Sequence, residues 1–190
     1  GLTLIVPEEA LVGAPVDVEV EIRNDSGTIL KDVGLTLELP QDMVFIGATN
    51  ERTLLAKQLG NLGAGGLQRE RFKLMVLEGE NTIKQLKATL AYQPGGLGSR
   101  FEKSETVDLA VGGPAIQLDL TLPQQTFSGE EIEVKVTYQN VSGIQFSDLE
   151  LELTYPPSFA FTSAVPKPDL DKNVWRISSL EGNKRTEIVI

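Results

Sequence analysis

The sequence predicts an all-β protein made of two tandem antiparallel β-sandwiches. Three observations carry that expectation: an internal repeat of domain size, hydrophobic alternation with a period of two, and short apolar runs separated by glycine-rich turns. The 190 residues are enough for two ordinary domains, and 41% hydrophobic content is enough to build their cores.

The repeat organises the rest. Adding 116 to each position aligns Leu2–Ala48 with Leu118–Ala164 without a gap. Leu4 then matches Leu120, Pro7 matches Pro123, Gly13 matches Gly129, Val18 matches Val134 and Val20 matches Val136. Asn24, Ser26 and Gly27 match Asn140, Ser142 and Gly143, and Asp32 matches Asp148. Leu35, Leu37, Pro40, Phe45 and Ala48 match Leu151, Leu153, Pro156, Phe161 and Ala164. This period far exceeds the 20–50 residues of solenoid repeats, so the repeated unit is a whole domain with its own core. The expected boundaries are 1–111 for the first unit, 112–114 for a short linker of Gly112, Gly113 and Pro114, and 115–190 for the second unit.

Within a unit, Val16, Val18, Val20 and Ile22 alternate with Asp17, Glu19, Glu21 and Arg23, the pattern of a half-buried strand. Ile132, Val134, Val136 and Tyr138 repeat it with the same inward face. After the Asn-x-Ser-Gly turn, Val33, Leu35, Leu37 and Leu39, or Leu149, Leu151, Leu153 and Tyr155, form the next strand, which Pro40 or Pro156 stops. Short strands follow at Met43–Ile46, Leu54–Leu59, Leu67–Val76, Leu86–Tyr92 and Val107–Val111. About seven or eight strands in such a span, with no helical pattern, fit a sandwich of two antiparallel sheets.

Composition excludes several function classes. The chain has no cysteine, which removes disulfides, thiolate ligands and cysteine nucleophiles, and no histidine, which removes imidazole bases, histidine triads and the usual transition-metal sites. The net charge of −10 opposes nucleic acids and anionic lipid surfaces. No apolar run approaches the roughly 20 residues of a membrane helix, and Gly1–Val6 lacks the basic start of a signal peptide. Targeting or anchoring elements are therefore expected outside these residues. No catalytic residue, no cofactor-binding residue and no metal ligand is assigned.

The combination Val134-Lys-Val-Thr-Tyr-Gln-Asn140-Val-Ser-Gly143, Asp148-Leu-Glu-Leu-Glu-Leu-Thr-Tyr-Pro156, Phe161-Thr-Ser-Ala164 and Trp175-Arg-Ile-Ser-Ser-Leu-Glu-Gly182 resembles the prokaryotic "conserved repeat" immunoglobulin-like domain, the eleventh domain of unknown function. The first unit keeps Asn24, Asp32, Pro40, Phe45 and Leu62, with Lys57 or a neighbour near the place of Trp175. The resemblance implies two immunoglobulin-like sandwiches, an extracellular, surface-attached setting, and a spacer or stalk role within a larger envelope protein. Partners would be neighbouring domains of the same chain, with other surface proteins or glycans as the adhesive alternative. The segment itself is expected to be monomeric.

Candidate sites have plain structural readings beside them. Asp169, Asp171 and Asn173 have the one-three-five spacing of a calcium loop, but Val174 stands where glycine is needed and Leu180 where a bidentate glutamate is needed, which favours an exposed loop. Asp169 and Asp171 also form a carboxylate pair on paper, with nothing to order them as acid and base. Gly60, Gly63, Gly65 and Gly66 read as a turn rather than a phosphate loop. Asn24-Asp-Ser26 and Asn140-Val-Ser142 match glycosylation acceptors but recur where each unit needs a turn. Trp175, Tyr155 and Phe161 offer sugar stacking or core packing, with the core favoured. Asp17, Glu19 and Glu21 form an acidic face that reads as solvated, with a basic partner or divalent ions as the alternative.

The counterparts of Leu77–Val111 do not occur after the second repeat. Uncovered sandwich faces would expose several aliphatic side chains, each worth about 1.5–3 kcal/mol when buried. The expectation is that a continuing chain, or another chain by β-augmentation, supplies those strands.

Overall fold

The computed structural model describes residues 1–48 and 53–190. These residues form an all-β fold that divides into two compact units, Gly1–Pro114 and Ala115–Ile190. Unit 1 contains nine strands among the described residues: β1 (Leu2–Ile5), β2 (Glu9–Val12), β3 (Pro15–Arg23), β4 (Leu30–Glu38), β5 (Met43–Phe45), β6 (Leu54–Leu62), β7 (Leu67–Val76), β8 (Thr82–Pro94) and β9 (Phe101–Pro114). Unit 2 contains β10 (Ile116–Thr121), β11 (Lys135–Asn140), β12 (Phe146–Glu152), β13 (Val174–Leu180) and β14 (Arg185–Val189).

The strand order of unit 1 is β1-β3-β7-β2-β9-β8-β4-β6, with β5 on β7. Strand β2 is the hinge of this order. It pairs in parallel with β9 along Glu9–Val12 and touches β7 in parallel at a single pair, Val12 with Val76. On one side of it lie β1, β3, β7 and β5, and on the other β9, β8, β4 and β6. The two halves fold over a common core. Alternation dictates which side chains enter it: Val16, Val18, Val20 and Ile22 of β3, Phe72, Leu74 and Val76 of β7, Leu35 and Leu37 of β4, and Leu86, Ala88 and Leu90 of β8 are all buried in one cluster. Strand β1 packs across the core against β9 and β8, which buries Leu2 and Leu4.

Three expectations need correction. Unit 1 has more strands than the seven or eight read from sequence, because β1 and β2 are too short for their pattern to stand out. Pairing is antiparallel except at β2, which is parallel to both neighbours. Gly112, Gly113 and Pro114 are not a free linker; they are the last residues of β9, where Pro114 sits opposite Val12 of β2.

Unit 2 repeats part of this plan in the same register. Leu118 pairs with Tyr138 and Leu120 with Val136, as Leu2 pairs with Ile22 and Leu4 with Val20. Trp175 lies opposite Leu151 as Lys57 lies opposite Leu35, so the offset grows from 116 to 118 between Ala164 and Trp175. The strands form one three-stranded sheet, β10-β11-β14, and one two-stranded sheet, β12-β13. Val136, Tyr138, Leu151, Ala164, Trp175, Leu180 and Ile188 make a smaller core.

Two repeated residues owe their identity to backbone shape. Gly13 and Gly129 have φ of 80° and 83°, a region open to glycine at no steric cost. Asp32 and Asp148 have φ of 49° and 55°, tolerated because aspartate is among the side chains that reach the left-handed region. Asp32 sits at a bulge where β4 shifts register against β6 and β8, and Asp148 at a position that β12 leaves out of its otherwise regular pairing with β13.

Candidate functional site

Asn24 and Asn140 are fully buried, and each closes its unit in the same way. The Asn24 side-chain amide donates to the carbonyls of Thr28, Leu62 and Gly63 at 2.8, 3.0 and 2.9 Å, while its oxygen accepts from the Ser26 amide and hydroxyl. The Asn140 amide donates to Ile144, Leu180 and Glu181 at 2.6, 3.2 and 3.0 Å, and its oxygen accepts from Ser142. Both amides are consumed by structure, so the folded chain does not offer them for glycosylation. The glycine cluster Gly60, Gly63, Gly65 and Gly66 adjoins this knot: the Gly65 backbone N–H donates to the Asn24 backbone carbonyl, and the Asn24 backbone N–H to the Gly66 carbonyl.

The acidic face of β3 is answered by β7. Asp17, Glu19 and Glu21 stand opposite Lys73, Arg71 and Arg69 in register. They pair with them at 3.3, 2.8 and 2.9 Å. The Glu19 carboxylate holds the Arg71 guanidinium above its ordinary pKa through its hydrogen bond and charge. A cross-strand ladder of opposite charges leaves no free acidic stripe for a basic partner or divalent ions.

Asp169, Asp171 and Asn173 lie around the tight turn leading into β13. The Asp169 carboxylate accepts from the Arg176 backbone amide at 2.8 Å, Asp171 occupies the turn at φ 55°, and Asn173 approaches Glu152 at 3.5 Å. Among the described residues, no group of three or more acidic side chains converges on one point. Trp175 is 2% exposed and donates from Nε1 to the Pro166 carbonyl at 2.9 Å. Tyr155 and Phe161 pack against each other at 6.1 Å between ring centres, with Phe161 against the unit 2 core. Core packing accounts for Trp175 and Phe161, and no two of the three rings form an exposed stacking platform.

What sequence reasoning did not place residue by residue is an open apolar face in unit 2. Leu2 and Leu4 of β1 are 5% and 6% exposed, whereas Leu118 and Leu120 of β10, at the same register, are 67% and 52% exposed. Strands β8 and β9 cover β1 in unit 1, and no strand among the described residues does so for β10. The same difference marks the other layer. Strand β4 pairs with β6 on one edge and β8 on the other, while β12 pairs with β13 alone and keeps the second edge free. Val33 is buried, and its counterpart Leu149 is only half-buried. A shallow depression of ≈ 420 Å³ also lies on β12 and β13, lined by Asp148, Leu149, Glu150, Arg176, Ile177 and Ser178. It holds charge and apolar surface but no nucleophile with an adjacent base. The signal available in the sequence was the repeat itself, which names the residues that lose their cover.

No family model matches the chain, and no curated protein matches it. Among solved structures it is similar to red sea bream transglutaminase at 13% identity and a TM-score of 0.44, over 100% of this chain and 26% of that one. It is also similar to a cohesin module from a family 33 glycoside hydrolase of Clostridium perfringens, at 12% identity and a TM-score of 0.43, over 59% of this chain and 96% of that one. A third is a chaperone–tip adhesion subunit pre-assembly complex from archaic Csu pili of Acinetobacter baumannii, at 8% identity and a TM-score of 0.31, over 100% and 87%. Likenesses this weak carry no functional argument.

Proposed function

We propose that the chain is a non-catalytic binding module of a prokaryotic surface protein, built of two immunoglobulin-like sandwich repeats and presented outside the cell. One observation supports the reading: within residues 1–190, Leu118 and Leu120 stand in water and the β12 edge is unpaired, a surface shaped to take strands from the continuing chain or from another. Exposed apolar side chains and an open strand edge are two features of polypeptide-recognition surfaces. The absence of cysteine and histidine from the sequence, and the engagement of Asp169 in a turn, support a non-catalytic role. The buried Asn24 and Asn140 knots and the matching left-handed backbone at Asp32 and Asp148 support the repeat-family reading, since those residues carry the resemblance.

A second reading, the passive spacer, is favoured by unit 1 alone: its core is closed and its acidic ladder is paired. Selection of a displayed peptide library, and a glycan array, against the chain and its Leu118→Glu/Leu120→Glu variant separates the two. Peptides retained by the chain and lost by the variant support the binding module. Equal behaviour of the two proteins supports the spacer, and a glycan that both retain moves the site elsewhere.

A further inference from the structure

Unit 1 carries a charge where alternation reserves a place for an aliphatic side chain. In β8 the inward row is Lys84, Leu86, Ala88 and Leu90, all buried, while Ile83, Gln85 and Lys87 face out. The Lys84 side chain is only 10% exposed, and its ammonium meets the Asp42 carboxylate through Oδ2. The other oxygen, Oδ1, is the one buried side-chain oxygen or nitrogen among the described residues that has no hydrogen-bond partner. Both ends are held in place. Asp42 lies in the turn between β4 and β5, where its backbone carbonyl accepts from the Leu77 N–H at 2.8 Å. Gly79, at φ 97°, leaves the space that the amine fills, since a β-carbon there would collide with Lys84 Nζ and Cε. Lys84 belongs to the half of the unit formed by β9, β8, β4 and β6, and Asp42 leads into β5, which pairs with β7 in the other half.

We propose that Lys84 and Asp42 close an intramolecular amide bond, Nζ to Cγ, which cross-links the two halves of unit 1. The ion pair is its starting state. The Lys84 ammonium passes one proton to Asp42 Oδ2, and the neutral Nζ bonds to Cγ and gives a second proton to the same oxygen. The Cγ–Oδ2 bond then breaks, Oδ2 leaves as water, and Oδ1 becomes the amide carbonyl, so atoms and charge balance with no other reactant. Two physical effects favour closure. A buried ion pair with an unpartnered carboxylate oxygen carries a large desolvation cost, and a neutral amide in the same place carries less. The fold also holds amine and carboxyl in contact, which replaces the loss of freedom that limits the same reaction between free molecules. Lys57 and Glu70, the other lysine–carboxylate contact between the halves, lack these conditions. Lys57 is 53% exposed, and both Glu70 oxygens are engaged, one by Lys57 and one by Gln68. That pair stays ionic. In the repeat, Ser158 stands where Asp42 does, so unit 2 has no carboxyl for such a link at this turn. The inference is independent of the binding reading, because every group it uses lies in unit 1.

The test is the mass of the whole purified chain under denaturing conditions, after it has been kept folded at neutral pH for several days. The expected mass is that of the sequence less one water molecule. Proteolysis followed by tandem mass spectrometry should then yield a branched peptide that joins the segment holding Asp42 to the segment holding Lys84. Lys84→Arg keeps the charge but should return the full mass and two separate peptides. A second measurement reads the link mechanically. Pulled from its ends, the unmodified chain should extend by about 140 Å less than its sequence allows, because residues 43–83 lie between the joined positions. Full mass in the unmodified chain, with Asp42 and Lys84 recovered in separate peptides, overturns the proposal and leaves an ion pair. Loss of water without the branched peptide also overturns it, since that places a dehydration, such as a succinimide, at another residue. Neither reading needs a variant that folds.

Discussion

Asn24 shows how much one side chain decides in a fold without disulfides. It ties the end of β3 to the Thr28 turn and to the end of β6 through three carbonyls, of which that of Leu62 is buried away from water. Asn24→Ala should cost about 2 kcal/mol, the scale of one buried acceptor losing its donor together with two partly buried bonds, and urea denaturation reads it directly. Lys84 is a second such residue. It is buried and paired with Asp42, whose other carboxylate oxygen has no hydrogen-bond partner. Lys84→Ala should cost about 2 kcal/mol, below the full figure for a broken buried pair because Asp42 keeps part of its surface in solvent. Replacing both with apolar residues of similar volume should recover most of that loss in the same denaturation experiment.

Glu70 gives the fold a pH signature. Burial pushes its carboxyl up, but hydrogen bonds from Lys57 and Gln68 outweigh that and hold it below its ordinary value. A depressed carboxylate stabilises the fold fully above its unfolded pKa of about 4.3 and loses that contribution as pH falls through the lower folded value. Thermal midpoints measured from pH 6 downward should therefore fall less steeply below that point in Glu70→Gln than in the parent chain.

At the scale of elements, alternation made β3 and β4 legible because the pattern survives nine-residue strands, whereas in unit 2 the strand expected through Ile132 and Val134 begins only at Lys135 and the one expected through Leu153 and Tyr155 ends at Glu152. Strands β1 and β2 were not separable by sequence: four residues hold too few alternations to stand out, and the pairing of β2 with β9 and β7 is set by distant strands. Gly112-Gly113-Pro114 reads as a break because all three residues are poor strand formers. It still ends β9, because Pro114 is the terminal residue and β2 supplies a parallel neighbour. The Asn turns and the inward Trp175 were read correctly from their local chemistry. The open face was legible only as a missing cover. That it falls on Leu118, Leu120 and the β12 edge needed the pairing register of unit 1.

The same comparison yields a paired prediction. Leu2→Glu buries a carboxylate under β8 and β9 and should cost about 3 kcal/mol or more. Leu118→Glu, at the matching place in unit 2, should change stability by less than about 0.5 kcal/mol because the side chain already stands in water. Equilibrium unfolding of the two variants measures the difference.

For the molecule as a whole, the two units solve one folding problem to different extents. Unit 1 buries its duplicated pattern with its own strands, and its fully buried side chains come from six of them, β3, β4, β5, β7, β8 and β9. Unit 2 carries the same pattern on β10, β11 and β12 and leaves part of it displayed. The measurement that tests this most directly is native-state amide hydrogen exchange on the free, monomeric chain, comparing residues 2–5 with 116–121 and 30–38 with 146–152. The account predicts slow exchange in both segments of unit 1 and exchange at least about a hundredfold faster at the free edge of β12. Equal protection of the matching segments in a monomer would contradict it, because it would mean that unit 2 closes its own face.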